Sequence, residues 1–227
     1  MLLKNDGILP LKKEALKTIG VIGPNANSRA ALIGNYHGTS SRYVTVLEGI
    51  QDYTEAWAKE RGAEPARILY SEGCHLYKDN VENLSKPEMA DRLAEARTVA
   101  DYSDVVILVV GLDETLEGEE GDTGNAYSSG DKKDLHLPPF QEELLRSLLP
   151  MKKPVIVINL AGSAIDLSVP QEQADAVIQA FYPGARGGID LAQILFGEVS
   201  PSGKLPVTFY QDTKDLPDFT DYSMKNR

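Results

Sequence analysis

Short, wholly apolar runs rich in valine and isoleucine recur along the chain, and they constrain its fold more than any other feature. A run such as "DVVILVVGL" has apolar residues at successive positions, so a strand formed by it would be buried on both faces. Such strands are typical of parallel sheets that are covered by helices on each side. The candidate strands occupy 18–24, 66–73, 104–112, 154–162 and 176–183, with 204–210 as a further edge strand.

Helical patterns separate these runs. They cover 45–62, 86–103, 138–150 and 187–198, and the first of them stops at Gly62, a residue type that commonly ends helices. Strand and helix alternate, which predicts an α/β fold: a three-layer sandwich with a mostly parallel sheet of about six strands flanked by helices. No internal repeat or interdomain linker is visible. We therefore expect a single domain over 1–227, whose first and last residues are arms that pack on something else.

Composition excludes several classes of function. The net charge is −11 and no block of lysine or arginine occurs, which argues against a nucleic-acid partner. Cys74 is the single cysteine, so neither an intrachain disulfide nor a cluster of thiolate ligands can form. The N-terminus lacks signal-peptide features, and no apolar run approaches the roughly 20 residues of a membrane helix. These features predict a cytoplasmic protein without a membrane partner. A secreted full-length protein is left open, because the chain has the features of a fragment.

The loops that follow the candidate strands hold the candidate chemistry, because ligands of open parallel sheets bind beyond the carboxyl ends of the strands. "GPNAN" follows the first strand but lacks the third glycine of a dinucleotide fingerprint. Ser163, in "AGSAID", does not lie in a nucleophile elbow. The three histidines show no zinc-ligand spacing, and "GDTGNAYSSGD" does not fit an EF-hand. We therefore predict no cofactor and no metal.

The acidic stretch "ETLEGEEGD", residues 114–122, directly follows the most apolar run. Neighbouring negative charges raise carboxyl pKa values by disfavouring ionisation, and a catalytic acid must keep its proton near neutral pH. Glu117, Glu119, Glu120 and Asp122 would act on one another in this way if one of them were partly buried. The residues alone leave two alternatives open, a solvated turn and a catalytic acid.

Ten motifs in order resemble the C-terminal α/β-sandwich domain of family 3 glycoside hydrolases, the β-glucosidases and β-xylosidases. They run over nearly the whole chain: "LLKNDGILPL", "IGVIGPNA", "GNYHG", "VLEGI", "VVILVVGLDETLEGEEGD", "LPPFQEELL", "PVIVINLAG", "FYPGARGG", "FGEVSPSGKLPVTF" and "DYSM". The resemblance implies a retaining exo-glycosidase that acts on a β-linked oligosaccharide or glycoside. It also implies an N-terminal barrel domain that supplies an aspartate nucleophile, and a loop of this domain that supplies the acid/base.

The resemblance also assigns residues. Relatives carry a loop of the form E-x-E-G-x-D-R, whose second glutamate is the acid/base. That spacing is matched by Glu117, Glu119 and Asp122, so the resemblance assigns the acid/base role to Glu119. Glu120 is the fallback, because Thr123 stands where arginine is expected and a longer loop follows. Some bacterial members of the family carry a similar longer loop. Glu117 and Asp122 are candidate substrate ligands.

In "GNYHG", Asn35 and Tyr36 either approach the sugar or shape a turn. The barrel and a following fibronectin-like domain are absent from the chain, so we expect the chain to be an excised domain that is inactive alone. The rival hypothesis is a non-catalytic carbohydrate-binding or scaffolding α/β domain that has kept the fold.

Overall fold

The computed structural model describes residues 1–35, 37–78, 88–119 and 132–223, the side chains of 88–90 excepted. Within them, six strands form one sheet in the order β1-β6-β5-β4-β2-β3. The strands are β1 (Leu2–Asn5), β2 (Thr18–Ile22), β3 (Arg67–Ser71), β4 (Val105–Gly111), β5 (Val155–Leu160) and β6 (Ala176–Gln179). All neighbours pair in parallel except β1, which is antiparallel to β6. The predicted α/β fold with a mostly parallel sheet of six strands is confirmed.

Helices connect the parallel strands. They are α1 (Ala30–Ile33), α2 (Val46–Arg61), α3 (Glu88–Asp101), α4 (Pro139–Leu148), α5 (Ser168–Gln173) and α6 (Gly187–Leu195), with 3-10 turns at Lys13–Ala15 and Thr213–Asp215. Helix α2 begins with a capping box, in which Thr45 and Glu48 each bind the other's backbone N–H. It ends at Gly62, whose left-handed φ of 60° confirms the predicted stop. In the described part of the chain, none of these helices has the length and apolar character needed to cross a membrane.

The sheet is buried on both faces, as the apolar runs predicted. Along β4, alternate side chains belong to two separate clusters of buried residues. Val106, Leu108 and Val110 pack with α3 and α4, whereas Val105, Ile107 and Val109 pack with α2 and α6. This alternation follows from the period of two in a strand. The helices therefore form the two outer layers of a three-layer sandwich.

The edge strand differs from the prediction. Residues 204–210 form no strand, and Pro206, which has no N–H to donate, lies in the middle of them. The edge position of the sheet, next to β6, is occupied instead by β1, and the backbone N–H of Gln179 donates to the carbonyl of Met1 at 2.9 Å. The N-terminal residues are thus part of the sheet rather than an arm. The C-terminal residues do leave large apolar side chains exposed, and Phe219 is 90% exposed.

Candidate functional site

The turns beyond the carboxyl ends of β2, β4, β5 and β6 lie along one edge of the sheet. The chain winds outward in one direction from β2 to β3 and in the other from β4 to β6, so β2 and β4 are the strands between which the order reverses. Ligand sites in open α/β sheets lie at such a switch point, beyond the carboxyl ends of the strands. The acidic stretch begins directly after β4 and therefore lies at this position.

Two glycines let the strand ends approach one another. Gly23, just after β2, has φ of +124°, and a Cβ there would lie 2.0 Å from the carbonyl oxygen of Val109 in β4. Gly111, at the end of β4, has φ of +143°, and a Cβ there would lie 2.0 Å from the carbonyl oxygen of Leu160 in β5. Side chains other than hydrogen cannot occupy these positions without moving the backbone. The turns consequently leave the sheet in fixed directions.

The acidic stretch starts as a tight turn. The backbone N–H groups of Leu116 and Glu117 both donate to the carbonyl oxygen of Asp113, each at 3.0 Å. The Oδ1 atom of Asp113 accepts hydrogen bonds from the backbone N–H of Thr115 at 2.9 Å and from its hydroxyl at 2.6 Å. Asp113 is 9% exposed. Its carboxylate therefore holds the turn and is largely shielded from solvent.

Glu117 connects this turn to the next two strands of the sheet. Its Oε2 accepts from the backbone N–H of Gly162 at 2.7 Å and from the Tyr182 hydroxyl. Its Oε1 accepts from the backbone N–H of Ser163 at 3.0 Å and from the Ser163 hydroxyl. Gly162 and Ser163 follow β5, and Tyr182 follows β6. One carboxylate thus joins the turns after three strands.

Tyr182 also connects this cluster to the "GNYHG" loop. Burial, together with the adjacent Glu117 carboxylate, raises the pKa of the Tyr182 phenol far above its usual value, so the hydroxyl keeps its proton and donates. A Cβ on Gly34 would lie 2.5 Å from a carbon of the Tyr182 ring, so the loop passes directly against that ring. At the loop's other end, the Nε2 atom of His37 lies 3.3 Å from a carboxylate oxygen of Glu114. The "GNYHG" loop and the acidic turn therefore contact one another.

The segments that follow β2 and β6 are joined by backbone hydrogen bonds although β5 and β4 lie between these strands in the sheet. The N–H of Gly184 donates to the carbonyl of Leu32 at 2.7 Å, and the N–H of Val44 donates to the carbonyl of Ala185 at 2.7 Å. The N–H of Gly188 returns a bond to the carbonyl of Val44 at 3.0 Å. We call these three bonds the cross-edge bridge. It fixes the outer turns of the site relative to one another.

The predicted site residues are only partly described. Glu119 is exposed and follows Glu117 by two residues, and Asn35 is half-buried in the bend after α1. Tyr36, Glu120 and Asp122 lie outside the described residues. The roles assigned to these residues stay predictions. The structure does place Glu119 at the carboxyl edge of the sheet, on the segment that the hydrogen bonds of Glu117 hold in place.

A groove of about 420 Å³ lies at the same edge, beyond the ends of β2, β3 and β4. Its lining includes Asn27, Tyr70, His75 and Asp113. Glu72 also lines it, and burial raises the pKa of that carboxyl group despite Arg92, whose guanidinium lies 2.9 Å away. Among the described residues, no group of three His, Cys, Asp or Glu side chains is placed to hold a metal ion. The groove offers aromatic faces and hydrogen-bonding groups to a polar ligand.

The sequence interpretation missed Ser163 and Tyr182 as parts of the site. It considered Ser163 only as a nucleophile and gave Tyr182 no role in the site. The available signal was their position, since Ser163 follows one predicted strand and Tyr182 lies at the end of another, at the edge where Glu117 was expected. Position alone did not show that a carboxylate would bind them.

Comparisons with known proteins agree with this geometry. The chain matches the Glycosyl hydrolase family 3 C-terminal domain over residues 1–227. It is 34% identical to Beta-D-xylosidase 3 of Arabidopsis thaliana over 92% of this chain and 24% of that protein. It is 33% identical to the periplasmic beta-glucosidase of Salmonella typhimurium over 96% of this chain and 28% of that protein.

A solved structure has the same fold. The β-glucosidase EmGH1 of Erythrobacter marinus superposes with a TM-score of 0.79 at 33% identity, over 96% of this chain and 29% of that one. The chain thus spans about a quarter of the length of the proteins it resembles. The extent of these matches and the shared fold lead to one assignment: the chain belongs to glycoside hydrolase family 3 and corresponds to its C-terminal domain.

Proposed function

We propose that this chain is the acid/base-carrying domain of a retaining, exo-acting β-glycosidase that hydrolyses β-glucosides or β-xylosides, with Glu119 as the general acid/base. The observation that carries the proposal is the position of Glu119. It is exposed at the carboxyl edge, on the acidic segment after β4, in a chain that belongs to a glycosidase family. The most similar relatives include both xylosidases and glucosidases, so both sugars stay within the proposal.

The mechanism needs a second carboxylate from another domain. In a retaining enzyme two carboxyl groups stand about 5–5.5 Å apart on either side of the scissile bond. The nucleophile, supplied by an N-terminal barrel domain, forms a bond to the anomeric carbon while the bond to the leaving oxygen breaks. Glu119 gives its proton to that oxygen. The chain alone is therefore expected to be inactive, because it supplies one of the two groups.

Glu119 acts again in the second step. Water attacks the anomeric carbon, the bond to the nucleophile breaks, and the proton of the water passes to Glu119, which is then ready for another cycle.

The test is Glu119→Ala in the full-length protein, assayed on an activated aryl β-glycoside with and without azide. Azide is a nucleophile that needs no general base, so we expect it to restore turnover and to yield a β-glycosyl azide. Normal rates of the variant on glycosides with poor leaving groups would refute the role of Glu119. Glu120 would then be tested in the same way. If neither the Glu119 variant nor the Glu120 variant changes the rate of hydrolysis, the scaffolding alternative is favoured.

A further inference from the structure

The Glu117 carboxylate is fully occupied by donors from the protein. An ionised carboxylate has about four lone-pair positions on its two oxygens. Here each oxygen receives one backbone N–H and one hydroxyl, from Gly162, Ser163 and Tyr182. No position is left for a sugar hydroxyl unless one of these bonds breaks. This arrangement differs from that of a substrate ligand, which keeps part of its hydrogen-bonding capacity for the substrate.

The segment that begins at Glu117 is also fixed at its far end. The ammonium group of Lys132 donates to the carbonyl oxygen of Ala164 at 2.8 Å. Burial lowers the pKa of Lys132, and the negative charges of Glu117 and Asp134 oppose this effect. Glu117 and Lys132 therefore attach to three consecutive residues, 162–164, in the turn after β5. Both ends of the segment that carries Glu119 are held by one short stretch of backbone.

The distance between Glu117 and Glu119 links this attachment to the chemistry. Two residues of extended chain span at most about 7 Å, so the position of Glu119 depends closely on that of Glu117. Catalytic groups must be held within about 0.5 Å of their productive geometry, and a misplacement of 1 Å can lower a rate about 100-fold. A firmly bound residue two positions earlier is well suited to impose that precision.

We propose that Glu117 is a positioning residue, which binds the turns after β5 and β6 and thereby sets the position of Glu119. The proposal rests on the acid/base role of Glu119 proposed above. Glu117 touches neither substrate nor reacting atoms in this mechanism. Its effect on hydrolysis is confined to the proton transfers that Glu119 performs, and substrate affinity is determined elsewhere.

Leaving-group dependence tests the proposal in the full-length protein. We would compare kcat/KM for phenyl and dinitrophenyl β-glycosides of the preferred sugar, because departure of phenolate needs a proton donor and departure of dinitrophenolate does not. Glu117→Gln keeps the shape of the side chain but replaces one acceptor oxygen by a donor. We expect kcat/KM to fall about 100-fold for the phenyl glycoside and less than about threefold for the dinitrophenyl glycoside.

Further variants separate the possible outcomes. Tyr182→Phe removes one of the four donors to Glu117 and keeps the ring. We expect the same selective loss of kcat/KM for the phenyl glycoside, at about 10-fold. This variant replaces Glu117→Gln if Glu117→Gln does not fold. Glu55→Gln on the exposed face of α2 removes a charge far from the site and serves as the matched control. Equal losses on both substrates through KM would show that Glu117 binds substrate. No loss in either variant would overturn the proposal.

Glu119→Ala in the same assay distinguishes the two proposals. If it shows the selective loss on the phenyl glycoside and Glu117→Gln does not, only the positioning role fails. If Glu119→Ala itself shows no dependence on the leaving group, the acid/base assignment fails, and the positioning role fails with it.

Discussion

Gly23→Ala gives a direct measure of how closely β2 and β4 approach each other at the functional edge. The added methyl group would lie 2.0 Å from the carbonyl oxygen of Val109 and 2.8 Å from its carbonyl carbon. Both are backbone atoms, so the clash cannot be relieved by the rotation of a side chain. The strand pair must separate by more than an ångström at its end, at the point where the acidic segment leaves the sheet.

The expected loss of stability has two parts. Alanine at φ of +124° is strained by about 1–3 kcal/mol. Separating the strand ends weakens about two hydrogen bonds, each worth about 1 kcal/mol. Together these effects lower the free energy of unfolding by about 4 kcal/mol, which is exceptional for a single substitution that adds only a methyl group.

Two further glycines separate these effects, and urea denaturation of the chain measures all three variants. Gly62→Ala places alanine at φ of +60° with no atom within 4 Å, so strain acts alone and the loss is about 1–2 kcal/mol. Gly38→Ala has neither strain nor a near neighbour, so the change stays within about 0.5 kcal/mol. If Gly23→Ala is no more destabilising than Gly62→Ala, the steric contact between β2 and β4 does not exist as described.

Two other predictions concern buried and exposed polar contacts. The side-chain carboxamide of Gln141 accepts a hydrogen bond from the backbone N–H of Gly111 and donates one to its carbonyl, each at 2.8 Å. Gln141→Leu leaves both groups of Gly111 unsatisfied, so we expect thermal unfolding to show a free energy of unfolding that is lower by about 3 kcal/mol. An unchanged melting temperature would contradict this. Backbone N–H bonds from Thr18 and Lys17 lower the pKa of Asp104, so its stabilisation is present above the pKa of an unfolded aspartate, about 4, and is lost as pH falls through the lower folded value. Asp104→Asn should therefore be about 1 kcal/mol less stable than the wild type in urea at neutral pH, and a difference that persists undiminished at about pH 2 would refute the assignment.

Sequence patterns predicted the central sheet because its signal is local. Each residue of β4 and β5 is buried, so their apolar runs appear whatever the neighbouring strand is. The edge strand was not predicted because "LLKN" of β1 is short and half polar. Its pairing depends on β6, which comes near the other end of the chain. Such nonlocal pairing leaves no periodic trace in the sequence, whereas Pro206 could have excluded 204–210.

The candidate site was predictable in place but not in its contacts. The alternation of strands and helices placed the acidic stretch at the carboxyl edge. The bonds of Glu117, however, reach residues 45 and 65 positions later. They exist because β4, β5 and β6 are neighbours in the sheet, and that order emerges only from the folded structure. The spacing of the carboxylates therefore could not distinguish a residue that binds the protein from one that faces the substrate.

The cross-edge bridge has a consequence for how the protein is made. Its partners are Leu32 and Val44 on one side and Gly184, Ala185 and Gly188 on the other, so they come from opposite ends of the chain. During synthesis the N-terminal residues of a chain leave the ribosome first, and a domain generally folds as a unit. The functional edge, however, cannot be completed until Gly188 has left the ribosome. Glu117 is synthesised before Tyr182, so its carboxylate cannot accept the hydrogen bond from the Tyr182 hydroxyl until translation has passed that residue.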